Sequence, residues 1–268
     1  MTKKSIIKIM AVAVAALTLL TAFTGCKKKG KTLAEVKAAG KLVMATSPDF
    51  PPFEELQSDG SITGIEVDIM NAICEKLGVK LEIASVSFES VLAGVQASKF
   101  DVGVSGSTVT EARKKNSLFT DPYCLAAQAI VVTEGSDIKS KADLEGKKVS
   151  VQTATTAEEF CLANGYSVNA YEANADAMSA VLTGKVDAWV IDDLTAAEMV
   201  ESNNSGTGTK LVILDEPMTT EPYAFAFNFG SEDLVAEINT IIKKMLADGT
   251  IEQLFVKYNA PYTAPSSN

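Results

Sequence analysis

Apolar residues along this chain alternate between strand-like runs and helix-like spacing, and the alternation indicates an α/β protein. Short apolar runs, typical of buried strands, are separated by segments whose apolar residues recur every three or four positions. Gly78 marks the end of one such helix. The order strand, helix, strand, helix, strand is typical of a parallel sheet with helices on both faces. The predicted strands lie at 42–45, 81–83 and 100–104, and the predicted helices at 65–77 and 91–97.

The pattern restarts near residue 128 and indicates a second unit of similar construction. Residues 91–102 and 178–188 both contain an apolar helix, a Ser-Lys or Gly-Lys turn, an apolar residue, an aspartate and a strand. This similarity predicts two lobes, and the alternative is that both segments are generic helix-to-strand junctions. A last helical segment over 234–258, broken at Gly249, predicts that the chain crosses between the lobes more than once. Further strands are predicted at 129–132, 148–151 and 187–191, with helices at 157–163 and 176–183.

The first 26 residues have the pattern of a secretion signal. Three lysines precede an uncharged run over 9–23, which is shorter than the roughly 20 apolar residues of a membrane span. The run ends just before Cys26 and resembles a bacterial lipoprotein signal. We therefore expect residues 1–25 to be removed and Cys26 to carry a lipid, with residues 26–36 as a tether. The protein would then lie on the extracytoplasmic face of the cell membrane, at the cell surface or in the periplasm. The alternative is an ordinary cleaved signal with a free Cys26.

Composition excludes several classes of function. The 268 residues include no histidine, the commonest general base and metal ligand, and the net charge is −10. An acidic chain is a poor partner for nucleic acid. No cysteine spacing is typical of a metal site, so neither a metal nor a cofactor is expected. Cys74 falls on an apolar helix face, whereas Cys124 and Cys161 could form a disulfide, although nothing in the sequence brings them together.

Polar and aromatic residues follow the predicted strands, where ligands bind in parallel sheets. Arg113 is the only arginine against 23 lysines, and its planar guanidinium can hold a carboxylate with two hydrogen bonds. Asp192 offers a carboxylate from the other lobe, and Phe50 and Phe88 offer flat apolar walls. An anion site, a cation site and an apolar slot together match a zwitterionic α-amino acid. The alternatives are a surface arginine, two core phenylalanines and a helix N-cap at Asp192 or its neighbour Asp193.

Short motifs between residues 33 and 260 occur in an order that resembles one known family. They include PPFE at 51–54, GIEVDI at 64–69, SGSTVTEAR at 105–113, LEGKKV at 144–149, TTAE at 155–158 and GKVDA at 184–188. The chain is thereby similar to the extracellular solute-binding proteins, family 3, of polar amino-acid ABC transporters. The resemblance implies an α/β, two-lobed, type II periplasmic-binding-protein-like fold. Each lobe would be a mostly parallel sheet flanked by helices, with hinge crossings near 123–128 and 218–223.

The resemblance also implies roles for individual residues. Arg113 would hold the ligand carboxylate, with Gly106 and Thr108 adding donors, and Asp192 would receive the α-ammonium. Departures from the family pattern leave the identity of the amino acid open, with glutamine, arginine and lysine as candidates. Ser47 stands where many relatives carry Asp or Asn, Ala154 replaces a usual glycine, and Gln152 occupies a position that varies with the ligand. The remaining implied ligand-binding residues are Phe50, Phe88, Ser105, Thr155 and Thr156.

The implied function is binding and delivery rather than catalysis. A monomer would capture a free polar or cationic α-amino acid by hinge closure and deliver it to the membrane permease of an ABC transporter. One alternative is an enzyme similar to cyclohexadienyl dehydratase, which would need Glu54, Glu66 or Asp192 as a general acid. The other is a ligand-sensing co-receptor for a membrane signalling protein. The implied boundaries are 37–124 plus 222–260 for lobe 1, 125–221 for lobe 2 and 261–268 for a tail.

Overall fold

The computed structural model describes residues 29–265, which form fifteen strands, most of them short. Along the chain they are β1 Lys41–Thr46, β2 Asp49–Phe50, β3 Glu54–Leu56, β4 Ile62–Thr63, β5 Lys80–Ser85, β6 Val102–Gly103, β7 Leu118–Phe119, β8 Cys124–Ala126, β9 Gln128–Thr133, β10 Lys148–Gln152, β11 Ser167–Tyr171, β12 Ala188–Asp192, β13 Leu211–Ile213, β14 Glu221–Tyr223 and β15 Ala226–Phe227.

Nine α-helices within the described residues pack on these strands, and a 3₁₀ turn covers Lys141–Leu144. The predicted helix over 65–77 is confirmed, and Gly78 ends it in the left-handed conformation at φ +74. The helices are α1 Leu33–Ala39, α2 Ile65–Leu77, α3 Phe88–Gln96, α4 Glu111–Lys114, α5 Thr156–Ala163, α6 Asn174–Leu182, α7 Asp193–Ser205, α8 Glu232–Ala247 and α9 Thr250–Lys257.

Two five-stranded sheets form the centres of the two lobes. The first has the order β5-β1-β6-β15-β7, and the second has the order β11-β10-β12-β9-β13. In each sheet three neighbouring strands run parallel. A fourth strand, β15 in the first sheet and β9 in the second, comes directly after a crossing between the sheets and pairs antiparallel with its neighbour. The fold is therefore the two-lobed α/β architecture that the sequence predicts, with each sheet mixed at the strands that re-enter it.

The two crossings between the sheets lie side by side. Strand β8 leads out of the first sheet and β14 leads back, and the two pair antiparallel with Tyr223 opposite Cys124. Tyr123 and Tyr223 are fully buried beside this ribbon. A two-stranded ribbon joining two larger bodies can bend without breaking either sheet, which makes it the natural hinge.

Both ends of the described chain are more ordered than the sequence suggests. The tether was expected to extend to residue 36, but Thr32 and Glu35 form a capping box that begins α1, and Val36 is buried. A tail was expected over residues 261–268. Instead the Tyr262 hydroxyl donates to the Tyr123 carbonyl at 3.1 Å, so this segment packs against the hinge.

The three cysteines within residues 29–265 are all free and buried. Cys124 lies on the hinge strand β8, whereas Cys161 lies on helix α5 of the second lobe. The disulfide between them that the sequence left open is therefore absent. Burial raises the pKa of each thiol, to about 11 for Cys74 and about 12 for Cys161, which keeps both protonated and unreactive.

Candidate functional site

The carboxyl ends of the parallel strands in the two sheets face one another across a narrow cleft. A cavity of about 250 Å³, its opening included, lies between them and is lined by residues from both lobes. Ten of the eleven residues proposed from the sequence line this cavity. They are Phe50, Phe88, Ser105, Gly106, Thr108, Arg113, Gln152, Thr155, Thr156 and Asp192.

Arg113 is presented by the short helix α4, which the Thr110 hydroxyl caps by accepting from the Arg113 backbone N–H at 3.1 Å. Arg113 as a whole is only 9 % exposed, and burial lowers the pKa of its guanidinium from the ordinary value. Nη1 donates to the Thr108 carbonyl at 3.0 Å, and Nη2 donates across the cleft to the Ala154 carbonyl at 3.1 Å. The three remaining N–H donors of this fork are available for a ligand anion.

Asp192 ends strand β12 and reaches the cavity from the second lobe. Its Oδ2 accepts from the Tyr223 hydroxyl, whereas its buried Oδ1 has no hydrogen-bond partner within residues 29–265. Burial, followed by the nearby Glu221 carboxylate, raises the pKa of Asp192 to about 8. Asp192 stands at the N-cap position of helix α7, but its side chain makes no capping hydrogen bond, whereas Asp193 Oδ1 accepts from the Leu194 and Ala127 backbone N–H groups. Asp192 is thus left for the cavity.

The aromatic walls differ in how they are held. Phe50 is 8 % exposed and stacks on Phe53 with ring centroids 5.6 Å apart. Gly106 makes this position possible, because a Cβ there would lie 2.4 Å from Cε1 of Phe50. Phe88 opens helix α3 and lies under the guanidinium, with the Arg113 Cζ 5.8 Å from the ring centroid.

Several donors that the sequence assigned to the ligand are instead used within the protein. The Ser105 hydroxyl donates to Glu54 at 2.8 Å, and the Gly106 N–H donates to Glu66 at 2.8 Å. The Thr155 hydroxyl caps helix α5 and donates to the Gln152 carbonyl, and the Thr156 hydroxyl donates to Glu221. These side chains shape the cavity, and their hydroxyl protons are not free for a ligand.

Ser47 does not line the cavity. It is 6 % exposed, and its hydroxyl donates to Asp49 Oδ1 at 2.8 Å. Asp49 Oδ2 in turn accepts from Gln152 Nε2 at 3.2 Å and from the Asn174 N–H at 2.9 Å, both in the second lobe. The carboxylate on this side of the cleft is therefore that of Asp49, two residues beyond Ser47, and it joins the two lobes directly.

Two buried glutamates lie behind the loop that carries Ser105 and Gly106. Glu54 and Glu66 are both fully buried, and Glu66 also accepts from the Tyr123 hydroxyl at 2.6 Å. Burial raises the pKa of both, and the neighbouring Glu66 charge raises that of Glu54 further. Neither lines the cavity, so they support the loop from behind and lie apart from a bound ligand.

The sequence did not identify Asp49, Gln128 or Asn174 as site residues. Gln128 and Asn174 line a second cavity of about 230 Å³ that continues from the first and shares Phe50, Gln152, Thr155 and Asp192 with it. The sequence feature that could have pointed to one of them is the polar Gln128 at the start of an otherwise apolar strand. Among the described residues, no group of acidic, Cys or His side chains could hold a metal ion.

Known proteins of the same size and shape bind amino acids. L-cystine-binding protein TcyJ of Escherichia coli K12 is 30% identical over 230 residues, which cover 84% of this chain and 85% of that protein. Arginine-binding extracellular protein ArtP of Bacillus subtilis is 33% identical over 222 residues, which cover 81% and 86%. The crystal structure of an ancestral amino acid-binding protein, AncCDT-1, a precursor of cyclohexadienyl dehydratase, is 34% identical, with a TM-score of 0.78. The match covers 85% of this chain and 99% of that one.

The family comparison covers both lobes and the hinge. Residues 42–261 match the family described as bacterial extracellular solute-binding proteins, family 3. The matched segment includes Arg113 on α4, Asp192 at the end of β12 and both strands of the hinge ribbon. This chain therefore belongs to the bacterial extracellular solute-binding proteins, family 3.

Proposed function

We propose that this protein captures a free polar or cationic α-amino acid in the interlobe cleft and delivers it to the permease of an ABC transporter. One observation carries the proposal. Within residues 29–265, Arg113 has three N–H donors without a partner and Asp192 has one oxygen without a partner, and the two residues line one cavity from opposite lobes. Phe50 and Phe88 flank the space between them. Only a small molecule that carries an anionic and a cationic group close together can pair with Arg113 and Asp192 at the same time.

The energetics support this class of ligand over other anions. A charged group in a buried cleft is costly unless it is paired, so a ligand that lacks either pole leaves Arg113 or Asp192 unsatisfied. Hydrogen bonds to charged groups contribute roughly 1.5–3 kcal/mol each. Two such poles together with aromatic burial can account for a micromolar dissociation constant, which corresponds to about −8 kcal/mol.

Binding and closure are coupled through contacts that cross the cleft. The Arg113 bond to the Ala154 carbonyl and the Asp49 bonds to Gln152 and Asn174 form only when the lobes are together. We propose that the ligand docks on one lobe, that the β8–β14 ribbon bends, and that the second lobe then covers it. The closed form is the form delivered to the permease.

The lobe boundaries proposed from the sequence fit this hinge, with residues 37–124 and 222–260 in lobe 1 and 125–221 in lobe 2. Lipid attachment at Cys26 remains part of the proposal, although Cys26 and the predicted signal at 1–25 lie outside the described residues. Within residues 29–265, no helix is long and apolar enough to cross a membrane. An extracytoplasmic location is common to the family.

We also propose that the bound amino acid leaves chemically unchanged. Of the three acids that a dehydratase-like reaction could use, Glu54 and Glu66 lie behind the binding loop and Asp192 is assigned to the ammonium. Incubating the protein with prephenate and following product by absorbance tests this directly. We expect no turnover above the uncatalysed rate, and measurable turnover would contradict the proposal.

A thermal-shift screen tests the function as a whole. The twenty L-amino acids, together with L-cystine and small polyamines, are added singly at millimolar concentration to the protein. Because a ligand that binds the native state raises the melting temperature, we expect a rise of several degrees with at least one polar or cationic amino acid. Polyamines lack a carboxylate and should have no effect. No shift with any amino acid, or a shift with a polyamine alone, would contradict the proposed function.

A further inference from the structure

Two neighbouring residues of the second lobe each have a buried side-chain oxygen without a hydrogen-bond partner within residues 29–265. Asp192 and Gln128 are directly opposite each other in the antiparallel pairing of β12 with β9. Side chains of such a pair point to the same face of the sheet with Cβ atoms about 5 Å apart. Asp192 Oδ1 and Gln128 Oε1 both lack a hydrogen-bond partner within residues 29–265, and both residues line the same cavity.

A chain of hydrogen bonds fixes which end of the Gln128 amide can face the cavity. The Thr156 hydroxyl has one proton, and it donates that proton to Glu221 Oε2 at 3.0 Å. The same hydroxyl oxygen must therefore accept from its other neighbour, which is Gln128 Nε2 at 2.9 Å. With the NH₂ group held by Thr156, only the carbonyl Oε1 of Gln128 remains unpaired.

One hinge strand orients both unpaired oxygens. Glu221 and Tyr223 are two residues apart on β14, so their side chains point to the same side of the strand. Glu221 orients Gln128 through Thr156, and the Tyr223 hydroxyl donates directly to Asp192 Oδ2. Glu221 lines neither of the two cavities, so it acts on a ligand without touching it, through Thr156 and through its charge, which raises the pKa of Asp192.

We propose that Gln128 is a second acceptor for the ligand's α-ammonium beside Asp192, and that Glu221 and Tyr223 are positioning residues that hold the two acceptors in place. The inference rests on the proposed amino-acid-binding function and adds a neutral acceptor to the site. A primary ammonium has three N–H donors, and one carboxylate oxygen satisfies only part of them. An adjacent amide oxygen adds an acceptor without adding a second negative charge to a buried site.

The decisive experiment compares two amino acids that share an α-ammonium and differ in side chain. L-Arginine and L-glutamine are titrated by calorimetry into the wild-type protein and into Gln128→Met, which keeps the length and removes the acceptor. Losing one hydrogen bond to a charged group weakens binding about ten- to a hundredfold. Both amino acids carry the same α-ammonium. We therefore expect Gln128→Met to weaken the binding of each amino acid that the wild type binds by the same factor, within about threefold.

Unequal effects would overturn the assignment. A loss confined to one amino acid would mean that Gln128 contacts the side chain, and no loss for either would mean that its oxygen is not used. Folding is checked from the melting temperature. Should Gln128→Met fail to fold, Thr156→Val releases the amide and is expected to weaken binding severalfold for both amino acids. Unchanged affinity in that variant would also contradict the inference.

Glu221→Gln tests the positioning role from outside the cavity. Its amide can donate to Thr156, which then donates to Gln128 and turns the Gln128 NH₂ group toward Asp192. We expect binding of both amino acids to weaken at least about tenfold with little change in melting temperature. Thr219→Val is the matched control, because among residues 29–265 the Thr219 hydroxyl bonds only to the Gln128 backbone N–H, from which it accepts at 3.1 Å, and to no side chain of the site. Unchanged affinity in Glu221→Gln would overturn the positioning role.

The same experiment separates failure of the inference from failure of the proposed function. A wild-type protein that binds no α-amino acid in the screen refutes the function itself. A wild-type protein that binds amino acids, but whose affinity is unaffected by both Gln128→Met and Glu221→Gln, leaves the function intact and refutes the inference.

Discussion

At the level of single residues, the cleft keeps a basic and an acidic side chain apart. Within residues 29–265 Arg113 has no ion-pair partner, and its guanidinium is held by the carbonyls of Thr108 and Ala154. Asp192 is held by a tyrosine hydroxyl. Because carbonyls and a hydroxyl orient these groups without forming an ion pair, both remain available for the opposite poles of a ligand. With its pKa raised to about 8, the Asp192 carboxyl is largely protonated in the empty cleft at neutral pH, and the ligand's ammonium would take the place of that proton.

Asp192→Asn should stabilise the empty protein and weaken binding. The pKa of Asp192 is raised from 3.8 to about 8, so the folded state binds its proton more tightly than the unfolded state. Stability therefore falls as the pH rises from about 4 to about 8, and it falls no further above 8. Because asparagine does not titrate, the melting temperature of the variant should exceed that of the wild type by an amount that grows across this range.

Melting curves at pH 4, 6 and 8 check the first half of this prediction, and calorimetry with the tightest-binding amino acid checks the second. We expect at least about tenfold weaker binding in Asp192→Asn. A variant that is less stable than the wild type at pH 8, or that binds equally well, would contradict the role given to Asp192.

Gly106→Ala should disturb the aromatic wall as well as the backbone. Gly106 has φ +52, and a Cβ there would meet Phe50 at 2.4 Å. Gly135→Ala is the matched control, since Gly135 has φ +83 with no atom within 4 Å of its Cβ position. Both variants carry left-handed backbone strain of about 1 kcal/mol. Only Gly106→Ala should also weaken amino-acid binding, and equal binding by both variants would refute the claim.

At the level of elements, the long helices and central strands could be predicted from apolar spacing. Helix α2 was predicted with its observed bounds, because a glycine follows its last turn and its buried face is continuous. Strand β6 was predicted within 100–104, but the other strands of two or three residues were missed, since they are too brief to show a period. Strand β11 was missed because it lies at a sheet edge, and none of its residues is fully buried.

Asp49 joins one lobe to the first turn of helix α6 in the other, and its removal should favour the open form. Asp49→Ala deletes acceptors for Gln152 and for the Asn174 N–H, so closure loses two cross-lobe hydrogen bonds. We expect about tenfold weaker amino-acid binding and a larger radius of gyration by X-ray scattering in the ligand-free protein.

Asp59→Ala is the control for this change, because Asp59 accepts only from Ser61 within its own exposed turn. It should leave both the scattering curve and the affinity as in the wild type. An Asp49→Ala protein with unchanged affinity and unchanged radius of gyration would mean that closure does not depend on this contact.

For the molecule as a whole, the sequence located the cleft but not the detailed hydrogen bonding within it. Arg113 and Asp192 could be found because strand ends converge in parallel sheets and because the arginine is unique. Ser105, Thr155 and Thr156 line the cavity as the sequence predicted, but the sequence could not show that their hydroxyls donate to protein groups, because a hydroxyl can serve a ligand or a protein acceptor equally well. Asp49 and Gln128 were missed because their partners lie far away in the chain. The partners of Asp49 meet it only once the two lobes have closed, and Gln128 meets Thr156 and Thr219 only once the second lobe has folded.

The central claim is that one amino acid lies between Arg113 and Asp192 in the closed cleft. Calorimetric titration of the wild type and of Arg113→Lys, with the amino acid that gives the largest thermal shift, tests it most directly. Lysine keeps the charge but cannot hold a carboxylate with a planar pair of donors, so we predict a loss of affinity of about a hundredfold or more. Arg113→Lys binding that amino acid as tightly as the wild type would contradict the account.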